Sequence, residues 1–205
     1  MIILSVNSKT KSIAMVSILR DTYVEIPGYA NNKLNASYAF GGITLLNKTI
    51  EHNFGIHIDY NVCANFQGFV EAMTQVGSLT INLSKAEADH LNKRHGWNLV
   101  EGNNVLSPTK LLAYSRIRHM AGNDWGRTER QRKVIMAAFN KYKKQGLSSV
   151  LELIGKVTPY VRTDMTNSQI VSMATKVVTS DMNIGSSHSL PSGGMYRATY
   201  VKRKA

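Results

Sequence analysis

Residues 1–22 read MIILSVNSKTKSIAMVSILRDT. Ile2 to Val6 and Ser12 to Leu19 are apolar and rich in β-branched side chains, and Asn7 to Lys11 between them has the composition of a turn. The pattern predicts a hairpin of two largely buried strands. The second strand runs without a break into Arg20-Asp21-Thr22. A charged pair at a strand end reaches the carboxyl edge of the sheet, where open α/β sheets bind ligands. The plainer reading of Arg20 and Asp21 is a surface ion pair, which is worth little energetically.

Outward from the hairpin, helices and strands mix without a repeat. Tyr29 to Asn35 is polar and loop-like. Gly41-Gly42 precedes Ile43 to Phe54, where Leu46, Ile50 and Phe54 recur at every fourth position and Gly55 follows, as in an amphipathic helix with a glycine stop. Tyr60 to Phe66 reads as a strand, Gln67 to Val76 as a helix and Leu79 to Leu83 as an alternating strand. Ser84 with Glu87 three residues on predicts a capping box. Ser107-Pro108 starts a further helix, and Trp125 to Lys144 is the longest, with Asp124 as N-cap and Val134, Ile135, Ala138 and Phe139 as its apolar stripe. Leu147 to Val157 and Asn167 to Val178 are also helical, while the tail from Gly185 is rich in Ser, Gly and Lys. The expected class is α/β, with helices covering a central sheet.

The chain has 205 residues, of which 43% are hydrophobic and 19% charged. That suits one well-cored domain and excludes a disordered chain. The net charge of +12 points to an anionic partner without choosing between nucleic acid, an anionic membrane or wall, and a phosphorylated substrate. Cys63 is the single cysteine and the six histidines are scattered, so neither an internal disulfide nor structural zinc is expected. No run approaches the ~20 apolar residues of a membrane span.

The informative cations are arginines. In Tyr114-Ser115-Arg116-Ile117-Arg118, alternate residues share a face only on extended chain. The helix begun at Ser107 is therefore expected to give way near Tyr114, with Tyr114, Arg116 and Arg118 on one side and Ile117 buried behind. In the following stretch Arg127, Arg130 and Gln131 stack on one face of the long helix, while Arg132 points elsewhere and reads as a solvated charge. Arginines in a first helical turn oppose the helix dipole, and a bound anion would offset that. The guanidinium fork suits phosphate. Arginines paired with Glu129 or solvent are the plain alternative.

These residues resemble the LytR-CpsA-Psr domain. The resemblance lies in Ser17 to Thr22, in Asn32 to Tyr38 with Gly41-Gly42, in Leu112 to Arg118, and in Asp124 to Gln131. It covers residues 1 to about 200 as one domain, with 201–205 as a basic tail. It implies an α/β/α sandwich with a central mixed sheet. It further implies a polyprenyl tail in an apolar tunnel, under the helices Ile43–Phe54, Gln67–Val76 and Asn167–Val178. The pyrophosphate would lie at the mouth against Arg20, Lys33, Arg116, Arg118, Arg127, Arg130 and Gln131. Arg20, Asp21, Arg127 and Arg130 would be catalytic, and Asp21 would hold magnesium. The implied reaction moves a glycan phosphate of teichoic acid or capsule type from a polyprenyl-pyrophosphate carrier to peptidoglycan. The implied place is the extracytoplasmic face of the membrane, reached through an upstream anchor.

Departures from the family pattern are Leu19 where proline is usual, and Glu71-Ala72 and Gly77-Ser78-Leu79 in place of Val-Asp and Gly-Gly-Val. An Asp-Thr pair expected ahead of the first strand is also missing from this sequence. The chemistry agrees with the resemblance, because phosphoryl transfer needs fixed positive groups more than covalent catalysis. GxSxG and Walker A patterns are absent. The competing readings are a nucleic-acid-binding transcriptional regulator, disfavoured by the lack of a helix-turn-helix or RNP signature, and an inactive lipid- or wall-binding module.

Overall fold

The structure is a computed structural model that describes residues 1–117, 123–192 and 197. The expected hairpin forms from β1 (Ile2–Asn7) and β2 (Ser12–Ile18), paired antiparallel with Val6 opposite Ile13. A third strand, β9 (Asn183–Leu190), lies parallel on the other side of β2 and completes a mixed sheet of order β1-β2-β9. The sequence reading placed the Ser- and Gly-rich tail in that position instead.

Strand alternation gives the sheet two covered faces. Ile3, Ile18 and Leu190 join a core with Ile43, Leu46 and Ile50 of α1 (Leu34–Phe54). Ile2, Leu4, Val6 and Ile13 face the opposite way, toward α5 (Asn123–Gln145) and α7 (Asn167–Thr179). Helices therefore cover both faces of a mixed sheet, as the α/β/α expectation requires. α1 starts earlier than its periodic stretch and breaks at Gly41-Gly42, where Gly42 takes φ 61°, a left-handed conformation that favours glycine.

The second core lies beyond the sheet. It joins α2 (Phe66–Val76), β6 (Leu79–Leu83), α3 (Lys85–His95), β7 (Gly102–Leu106) and α4 (Pro108–Ser115) to Val134 of α5. β6 pairs antiparallel with β7. The capping box at Ser84 and Glu87 forms as expected, with reciprocal bonds of 3.3 and 3.1 Å. α6 (Leu147–Val157) packs against α2, α5 and α7.

Short pairings complete the chain: β3 (Tyr23–Val24) with β4 (Asn32–Lys33), and β5 (Val62–Cys63) with β8 (Arg162–Thr163). The strand expected over Tyr60 to Phe66 shrinks to β5, because Asn65 caps α2 by accepting from Gly68 N–H at 2.7 Å. Among the described residues no helix is long and apolar enough to cross a membrane.

Candidate functional site

Two cavities meet between the sheet and the helices. The first, about 850 Å³, is apolar. Its walls are Ile2, Leu4 and Val6 of β1, Phe69 and Met73 of α2, and the stripe Val134, Ile135, Ala138 and Phe139 of α5. α6 and α7 close it with residues such as Leu153, Ile154, Ile170 and Val177. Of the helices expected to border a tunnel, α2 and α7 do so and the Ile43–Phe54 segment does not. That segment covers the other face of the sheet. α5 and α6 take its place.

The second cavity, about 740 Å³, is basic. Arg20 enters from the end of β2, Arg116 from the end of α4, and Arg127 and Gln131 from the first turns of α5. α3 contributes His90, Arg94 and His95. None of the described residues lining this pocket is Asp or Glu. Leu112, Ser115, Arg116 and Gln131 line both cavities and so form a neck between an oily space and a cationic one.

Local bonds explain how the arginines arrive there. The turn after β2 is clamped from both sides. Leu19 N–H donates to the Leu190 carbonyl at 3.0 Å, Thr22 Oγ1 donates to the Leu19 carbonyl at 2.7 Å, and Asn35 N–H donates to the Arg20 carbonyl at 3.0 Å. The start of α5 is pinned to the end of β9, where Trp125 Nε1 donates to the Pro191 carbonyl at 2.9 Å. Arg127 pairs with Asp124 at 3.0 Å, one turn back, so part of the charge set against the helix dipole is balanced within the helix. Met1 lies in the same pocket, with its nitrogen 3.0 Å from the Ile18 carbonyl.

A LytR-CpsA-Psr family profile matches residues 1–203. The chain belongs to the LytR-CpsA-Psr family. Over 165 residues it is 34% identical to the regulatory protein MsrR of Staphylococcus aureus (strain COL), covering 78% of this chain and 49% of that protein. Over 167 residues it is 35% identical to the polyisoprenyl-teichoic acid–peptidoglycan teichoic acid transferase TagU of Enterococcus faecalis, covering 80% and 54% respectively. The chain thus spans about half the length of these curated relatives. The solved structure of TagT bound to LI-WTA superposes with a TM-score of 0.73 at 26% identity, covering 92% of this chain and 70% of that one.

In this LytR-CpsA-Psr domain the expected site residues divide. Arg20, Arg116, Arg127 and Gln131 gather around the basic pocket. Lys33 and Asp21 stand beside Arg20 without lining that pocket. The Asp21 carboxylate takes Lys33 at 3.1 Å and Arg20 at 3.6 Å, all three well exposed. Arg118 lies outside the described residues.

Arg130 departs from the expectation of convergence. It is 4% exposed, sits against Glu87 at 3.5 Å and donates from Nη2 to the Ile117 carbonyl at 2.8 Å. Its carboxylate partner is a residue of α3, not the neighbouring Glu129. Arg132 departs as well. It is 5% exposed rather than solvated, and it donates to Ser187 and Ser189 of β9, each at 2.8 Å. Burial lowers its pKa.

The helix begun at Ser107 gives way after Ser115, within a residue of the expected point. Tyr114 still belongs to its last turn and is wholly buried instead of sharing a face with Arg116, while Ile117 is buried as expected. Sequence reasoning also missed His90, Arg94 and His95. Basic residues near a helix C-terminus have an ordinary explanation in the dipole. The one available signal was the i, i+4 spacing of His90 and Arg94.

Proposed function

We propose that this domain binds a polyprenyl-pyrophosphate-linked glycopolymer and transfers its glycan phosphate to peptidoglycan. The observation that carries this is the neck. Arg116 and Gln131 border an apolar cavity on one side and, on the other, a basic pocket with no Asp or Glu among its described lining residues. An amphiphile with an anionic head and an oily tail is the ligand class such a junction fits. Tail burial contributes roughly 0.8 kcal/mol per CH₂, and guanidinium forks give charge-assisted bonds to phosphate oxygens.

In the reaction an acceptor sugar hydroxyl attacks the glycan-bearing phosphorus. The bridging P–O bond breaks and polyprenyl phosphate leaves with the electron pair. Arg20, Arg116 and Arg127 stabilise the charge that spreads over the phosphoryl oxygens. Asp21, beside Arg20 but outside the pocket's lining, would be the carboxylate to accept the hydroxyl proton or to help hold magnesium. That ion commonly takes one or two carboxylates and completes its shell with phosphate and water, so a lone aspartate is compatible with it. When bound it would neutralise pyrophosphate charge. With peptidoglycan as acceptor, the reaction would take place at the extracytoplasmic face of the membrane.

Nucleic acid binding is the competing reading. The pocket's continuity with an apolar cavity favours the lipid, since a nucleic acid backbone has no tail to bury. Equilibrium binding of a polyprenyl pyrophosphate across a magnesium series tests the choice. Arg116→Ala should weaken binding by roughly 1–3 kcal/mol. Ala138→Trp, which fills the apolar cavity, should weaken a long-chain lipid more than a short one. Asp21→Asn should remove most of the magnesium dependence. Salt-sensitive DNA affinity with no affinity for the lipid would overturn the proposal.

A further inference from the structure

The basic pocket holds more basic side chains than Arg20, Arg116 and Arg127, the three assigned above to the phosphoryl oxygens. With the tail in the apolar cavity, the pyrophosphate lies at the neck, against Arg116 and Gln131. His90, Arg94 and His95 line the basic pocket but not the apolar cavity. They form one wall of that pocket.

This wall is firmly built. α3 is fixed at its N-terminus by the Ser84–Glu87 capping box and along its inner face by Ala88 and Leu91, which are 2% and 1% exposed. His90 and Arg94 are one turn apart on the pocket side. The His95 ring stacks on Trp97 with centroids 4.4 Å apart, and Lys110 Nζ stands 5.4 Å from the Trp97 ring. Both acids of α3 are engaged elsewhere, Glu87 with Arg130 and Asp89 with Lys85 at 3.3 Å. A surface helix with so many cations would ordinarily turn acids toward them. Here none of the described residues lining the pocket is an acid.

We propose that the α3 wall of His90, Arg94 and His95 is a subsite for an acidic group, on the donor glycan or on the acceptor, beyond the pyrophosphate. The group is a carboxylate or phosphate ester, and Arg94 is its principal partner. This rests on the function proposed above. The acid could belong to the donor glycan or to the acceptor, and the chemistry of recognition is the same for both. A guanidinium fork supplies paired N–H donors and each imidazole adds one.

The test uses the full chain and compares polyprenyl-pyrophosphate disaccharides whose second sugar is either neutral or a uronate. A parallel arm compares acceptor muropeptides with free and with amidated carboxyls. Arg94→Gln and the pair His90→Gln/Arg94→Gln are measured beside wild type, with melting curves to verify folding and Arg94→Lys as the conservative control. If the acid belongs to the donor, the wild-type preference for uronate over neutral lipid should fall by about tenfold or more in Arg94→Gln, the scale of one lost charge-assisted bond. If it belongs to the acceptor, the preference for free over amidated muropeptide, read as acceptor KM, should fall instead. Lysine should restore part of the lost preference.

Equal selectivity of wild type and both variants in both arms, with the neutral lipid still binding tightly, would overturn the α3 subsite and leave the proposed function intact. Absence of binding by either lipid would overturn both.

Discussion

The first turns of α5 carry side chains that look alike in sequence and behave in opposite ways. Arg127 and Gln131 face the basic pocket. Arg130 and Arg132, within a few residues of them, run into the interior and hold the domain together. Arg130 ties α3 to the segment after α4 through Glu87 and the Ile117 carbonyl. Arg132 ties α5 to β9 through two serine hydroxyls. A guanidinium at a ligand site must keep donors open to the ligand, whereas a buried one must spend them on the protein. Arginine density alone therefore does not mark a phosphate site.

The largest effect that would break or sharpen this contrast is on stability. Arg130→Ala leaves Glu87 buried without its partner, and loss of one member of a buried pair typically costs about 3–5 kcal/mol. Urea melts of this variant should show that loss. If they match wild type, Arg130 is not structural and the contrast fails. Glu87→Gln with Arg130→Met should recover most of the stability, because a pair of neutral residues leaves no orphan charge.

Arg127→Ala should do the reverse. Its partner Asp124 is partly exposed, so stability should change by less than about 1 kcal/mol. Affinity for a polyprenyl pyrophosphate, read by calorimetry, should fall by roughly 1–3 kcal/mol. A variant that melts early and still binds the lipid normally would exchange the roles assigned to the two arginines.

The smallest effect concerns Tyr114, whose hydroxyl is buried beside the Glu87 carboxylate. Burial, and then the neighbouring Glu87 carboxylate, push its pKa well above the usual value. The folded state thus holds this proton more tightly than the unfolded chain. The associated stability is whole below the ordinary tyrosine pKa near ~10 and is lost as pH rises from there through the folded value. Tyr114→Phe should be neutral or stabilising by under about 1 kcal/mol at pH 7 and should flatten the alkaline part of the stability curve. An unchanged alkaline slope would show that Tyr114 does not titrate with unfolding.

Periodicity carried the elements whose burial repeats along the chain. The hairpin, α2, β6, α6 and α7 lie within a residue or two of their expected bounds. So does the capping box of α3, because its two bonds are local. α4 ended within a residue of the expected point, but Tyr114 is buried in the core through packing that the alternation of Tyr114, Arg116 and Arg118 does not reveal. β9 went unread for a similar reason. Asn183 to Leu190 is rich in serine and has little intrinsic strand preference. It is a strand because β2 offers its open edge and Arg132 needs hydroxyls opposite it.

The sequence by itself determined the α/β class, the family, and the set of arginines from which the site is drawn. Those follow from local pattern and motif order, which survive without knowledge of contacts. Only the tertiary structure decided which arginines face the pocket and which brace the core, that α3 supplies a further basic wall, and that the apolar stripe of α5 borders a cavity instead of filling it. Each of these depends on which side chains from distant elements approach one another. A guanidinium three residues farther along the same helix meets a carboxylate instead of a pocket, and that encounter is not encoded in spacing.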